Sequence, residues 1–126
     1  VVLMTPAELM AYLALAKSRD RRLNAEIAVF LDPRRHYLPE DREIPGTYWI
    51  RTTDGDHRLL ALDYTGSIDD ALTLLPEGRR WSVSGDPVAE TACAIVESTS
   101  AGFEDDYNAA TPALAICLAA LKARAE

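Results

Sequence analysis

Leu9, Met10 and Leu13 recur at the spacing of one helical face. Thr5-Pro6-Ala7-Glu8 precedes them. Thr5 supplies a cap, Pro6 suits the first helical position and Glu8 completes a capping box, so a helix opens here and ends near Ser18. A second helix starts at about Arg19 or Asp20. Leu23, Ile27, Phe30 and Leu31 form its apolar side, and Pro33 stops it. The Ser18–Asp20 junction reads as a tight bend or as a kink in one longer helix. Residues 32–46 carry Pro33, Pro39 and Pro45 and predict an extended connection, wrapped over the core through Tyr37, Leu38 and Ile44.

The pattern then shortens to that of strands. Thr47 to Thr53 is rich in aromatic and β-branched residues, Asp54-Gly55 marks a hairpin turn, and His57 to Tyr64 returns. Leu60 and Leu62 share one face of the return strand and Leu59 and Ala61 the other, which predicts cover on both sides. Ser67-Ile68-Asp69-Asp70 opens a third helix with a cap and acids in its first turn, and Pro76-Glu77-Gly78 ends it. Arg79 to Gly85 predicts a third strand with Trp81 and Val83 facing one way. Asp86-Pro87 turns the chain, and Val88 to Val96 predicts a fourth strand. Residues 98–110 read as polar and irregular. Thr111-Pro112 opens a last helix whose stripe is Leu114, Cys117, Leu118, Leu121 and Ala125. The order α-α-β-β-α-β-β-α predicts an α+β fold: one four-stranded antiparallel sheet covered by helices.

Composition narrows the class. The chain has 126 residues, 48% hydrophobic and 26% charged, which fits a single folded domain over 1–126. No apolar run reaches the roughly 18 residues of a membrane span. Val1 to Met4 reads as a disordered tail, too short for a signal peptide. The two cysteines, Cys93 and Cys117, lie in apolar surroundings and read as buried thiols of a reduced, cytoplasmic protein. The net charge of −7 is uneven: residues 1–63 carry −1 and residues 64–126 carry −6. Such a surface repels phosphate backbones and argues against nucleic-acid binding. The local exception is the basic group Lys17, Arg19, Arg21, Arg22, Arg34 and Arg35, with His36 beside it. It reads as a solvated helix junction or, alternatively, as an anion site built on Arg19, Arg21, Arg22, Arg34 and Arg35.

Candidate chemistry is sparse. Asp54, Asp56, His57 and Asp63 are the residue types of a metal or acid–base site, yet the turn explains Asp54, and strand alternation sends Asp56 and His57 to opposite faces. Glu104, Asp105, Asp106 and Asn108 lack the graded spacing and central glycine of a calcium loop. Ser67 follows Gly66 without a nucleophile elbow, and its hydroxyl is engaged as a helix cap. No nucleotide-binding glycine motif occurs, so the sequence assigns no catalytic residue, no cofactor and no metal ligand. Tyr48, Trp49 and Trp81 read as core or, if a helix leaves part of the sheet bare, as a partner surface.

Three segments carry a resemblance: Tyr64-Thr65-Gly66-Ser67-Ile68-Asp69-Asp70-Ala71-Leu72 with Leu75-Pro76-Glu77-Gly78 and Arg80-Trp81-Ser82-Val83; Ala110-Thr111-Pro112-Ala113-Leu114-Ala115-Ile116-Cys117; and the weaker Asp20-Arg21-Arg22-Leu23-Asn24-Ala25-Glu26-Ile27-Ala28. Together the chain resembles, over about residues 20–125, the α-β-α sandwich domain of small phage and prophage proteins of proteobacteria. That resemblance implies a helix-covered sheet and a phage or prophage origin, and it brings no catalytic assignment. The resulting expectation is a noncatalytic accessory domain that binds a phage or host protein, or assembles as a homodimer. The alternatives are a regulator or counter-defence protein that captures a host protein or small anion, and a small metal- or His-dependent hydrolase.

Overall fold

The structure is a computed structural model and describes residues 5–32, 34–36, 46–78, 80–86, 88–97 and 104–125. The tail at 1–4 and most of the 32–46 connection lie outside the described residues.

The helices begin where the capping residues place them. In α1 (Pro6–Leu15), Thr5 and Glu8 form the reciprocal capping box, and Leu9 and Leu13 are its buried side. It stops short of Ser18 because the backbone turns extended at Ala16. In α2 (Arg21–Leu31), the Asp20 carboxylate accepts from the backbone N–H groups of Arg22 and Leu23. The two helices are therefore separate. Ser67 caps the short α3 (Ile68–Leu72), and the Thr111 hydroxyl accepts from Leu114 N–H at the start of α4 (Pro112–Ala125).

The predicted single four-stranded sheet is replaced by two three-stranded antiparallel sheets. Sheet A joins β1 (Arg35–His36), β2 (Thr47–Thr52) and β3 (Gly55–Leu60) in chain order. Sheet B joins β4 (Trp81–Asp86), β5 (Thr91–Glu97) and β6 (Glu104–Ala109), again in order. Two strands escaped the sequence reading. β1 is a two-residue piece inside the proline-bearing connection. β6 opens on Glu104-Asp105-Asp106, residues of low strand propensity, but pairs with β5 from Ala92↔Ala109 to Glu97↔Glu104. Sheet B is thus completed by its own third strand. Residues 88–90, expected to begin the fourth strand, form the turn before β5.

α4 is the centre of the molecule. It packs on β5 and β6 with one side and on α1 and α3 with the other. Every residue from Ala113 to Leu121 is buried, so the expected apolar stripe is in fact apolar all round. Alanines at 113, 115, 119, 120 and 123 let the neighbouring layers approach closely. α2 covers sheet A through β1 and β2 but not β3, whose residues are all exposed. No helix among the described residues is long and apolar enough to cross a membrane.

Candidate functional site

The resemblance-bearing segments around Asn24 and Thr65 meet in one polar network. The Asn24 side-chain oxygen accepts from Thr65 N–H at 2.8 Å, and its amide nitrogen donates to Asp63 Oδ1 at 3.0 Å. Thr65 Oγ1 accepts from Asp20 N–H at 2.8 Å and lies 2.7 Å from Asn24 Oδ1. Arg19 closes the network with a 2.8 Å ion pair to Asp63 Oδ2, and Asp70 Oδ2 accepts from Asp63 N–H. Gly66 sits against this pair: an added Cβ would run into the Arg19 guanidinium and the Asp63 carboxylate. Asn24 and Thr65 are both buried and fully engaged, so the network ties the α1–α2 junction to the link between β3 and α3. Polar residues some forty positions apart carry no periodic signal, and sequence reasoning missed them.

The basic residues do not converge on one site. Arg19 is held by Asp63. Arg34 makes a two-pronged contact with Asp32, and hydrogen bonds from its side chain and backbone hold the Asp32 carboxyl down at about 2. Arg35 turns inward, donates to the Ala28 carbonyl at 2.8 Å and lies over the Tyr48 ring at 4.9 Å. Its Nε finds no hydrogen-bond partner among the described residues. Arg21 and Arg22 are exposed in the first turn of α2.

Of the three aromatic candidates, Tyr48 belongs to the core at 6% exposure. Trp49 is half-buried on the opposite face of β2, and Arg58 stacks on its ring at 4.9 Å. Trp81 is the one large aromatic among them left 46% exposed. It occupies the first position of β4, one of the two outer strands of sheet B.

The pairing Arg51↔Asp56 and Ile50↔His57 sends Asp56 and His57 to opposite faces, as alternation requires. Asp54 stays in the turn, where Thr52 Oγ1 accepts from its N–H. Among the described residues, no group of three or more His, Cys, Asp or Glu side chains is placed to hold a metal ion. The side chains of His36 and of Glu104 to Asp106 lie outside the described residues. Cys117 is buried, donates to the Tyr64 carbonyl, and has its thiol pushed up to about 12 by burial. Cys93 corrects the expectation of two core thiols: it is only half-buried, because it points from β5 to the sheet face opposite α4.

What the surface offers instead is apolar area on outer strands. Leu59 and Leu60 on β3 and Leu62 just beyond it are 42%, 73% and 48% exposed. The sequence placed these leucines on two covered faces, but α2 stops at β2. A second feature lies at the far end of β4. There an open groove of about 720 Å³ is lined by Lys17, Gly85, Asp86, Ala110, Thr111 and Pro112, among others. Gly85 lets the Pro112 ring pack close to β4 at the groove's rim, since a Cβ there would stand 3.2 Å from that ring. The chain matches no protein-family model, no curated protein and no solved structure.

Proposed function

We propose that this chain is a noncatalytic accessory domain of phage or prophage origin that works in the bacterial cytoplasm through protein binding and assembly. The observation that carries the reading is the placement of exposed apolar side chains on outermost strands of both sheets: Leu59 and Leu60 on β3, and Trp81 on β4. A strand at a sheet edge can accept another strand, and exposed apolar residues beside it supply the burial that makes such pairing specific. The phage assignment rests on the resemblance of the segments around Asn24, Thr65 and Thr111.

The test is paired capture from phage-producing cells with two tagged chains, wild type and Leu60→Asp. A partner held by the wild type and released by Leu60→Asp, with unchanged circular dichroism, supports the reading. A partner set identical for both chains, or none for either, contradicts binding through β3. A Lys122→Glu chain, altered on the exposed side of α4, is the control that retains the partner.

A further inference from the structure

We propose that the outer edge of β4 pairs with β4 of a second copy, antiparallel about a two-fold axis at Val83, and that Trp81 of each copy fills the groove beside Gly85 of the other. The inference deepens the assembly reading for sheet B alone and is independent of what β3 binds.

The register follows from strand geometry. Along an edge strand, outward-pointing backbone groups occur at every second residue. Two copies of one edge can therefore pair only when the opposed residue numbers differ by an even amount. With Val83 on the axis, Trp81 faces Gly85, Ser82 faces Ser84, and Arg80 faces Asp86 of the second copy. That register sets opposite charges across the new ladder at both ends. Moving the axis to Ser84 sets Ser82 against Asp86, and moving it to Ser82 sets Arg80 against Ser84, so both lose this complementarity.

The same register solves a packing problem. Trp81, Val83 and Gly85 oppose Val96, Ala94 and Ala92, the buried residues of β5 under α4. They therefore share the helix-covered face. α4 packs mainly over β5 and β6. In the joined sheet the two β5 strands stand three strand spacings apart, about 14 Å. Packed helices approach to about 8–10 Å, so the two α4 helices leave a slot above the paired β4 strands. The Trp81 indole of one copy enters that slot beside the Pro112 ring that packs on Gly85 of the other, and the two-fold axis makes the fit reciprocal. Lys17 at the lip of the groove places a cation near the incoming ring.

Single cysteines read the register directly. A residue on the axis meets its own copy, and Cα atoms directly opposed across antiparallel strands lie about 4.5–5.5 Å apart, within disulfide range. In a Cys93→Ser background, Val83→Cys is expected to give a covalent dimer on mild oxidation, while Ser82→Cys and Ser84→Cys stay uncrosslinked. Adding Trp81→Ala to Val83→Cys should lower the crosslinked fraction by about tenfold, as loss of a central tryptophan does at interfaces. Crosslinking at 82 or 84 in preference to 83 overturns the register. A monomer at all three positions, with native circular dichroism, overturns the dimer. In that case, partner capture lost on Leu60→Asp would still stand, so the two failures are distinguishable.

Discussion

Asn24 shows how little of this protein's stability is written in hydrophobic pattern. Its side chain satisfies Thr65 N–H and donates to Asp63 inside a buried setting. Asn24→Ala leaves the buried Thr65 N–H without its acceptor and strips one donor from Asp63, which keeps Arg19, and should cost about 1–3 kcal/mol, read as a lower urea midpoint at unchanged slope. Cys117 carries a pH signature. Its folded thiol is raised to about 12 from an ordinary 9.0, so between those values the unfolded chain binds fewer protons than the folded one. Stability is full below about pH 9 and falls as pH rises toward 12. Denaturation at about pH 8 and 10.5 should show that loss, and Cys117→Ala should show less of it. The two thiols should also separate kinetically: Cys93 labels in the native protein, Cys117 only on unfolding.

At the scale of elements, local signals were legible and long-range ones were not. Thr5, Asp20, Ser67 and Thr111 each accept a backbone N–H at a helix start. All four are recognisable in sequence because capping chemistry spans only three or four residues. The hairpin turning at Asp54-Gly55 was equally plain, although its return strand runs from Gly55 to Leu60 and not on to Tyr64. β6 was hidden because its sequence is mostly polar, with Tyr107 and Ala109, opposite buried Ala94 and Ala92, as its apolar positions on the core face. α4 read as a one-sided stripe because alanine is neutral in such patterns, whereas here alanines are the contact surface for a sheet on one side and helices on the other. Among the candidate site residues, Tyr48 went to the core on β2, where α2 packs, while Trp81 kept its exposure on β4, because α4 packs mainly over β5 and β6. Leu114, fully buried in α4, offers a direct check on that helix's central place. Leu114→Ala should destabilise the fold by about 2–5 kcal/mol in chemical denaturation, well beyond the effect of Lys122→Ala on the exposed side.

Among the described residues the molecule is a helix-centred core flanked by two small sheets, each with an outermost strand that no helix fully covers. Small open sheets expose strand edges, and exposed edges that carry large apolar side chains mark association surfaces. The net charge of −7 keeps copies apart at long range, so contact must come from local complementarity such as Arg80 against Asp86. The most direct measurement is the mass of the purified chain by light scattering across a dilution series, run beside Trp81→Ala. The account predicts a wild-type mass that climbs with concentration toward two chains, while Trp81→Ala stays near one chain over the same range. A wild type that holds the mass of one chain at every concentration would contradict assembly through β4.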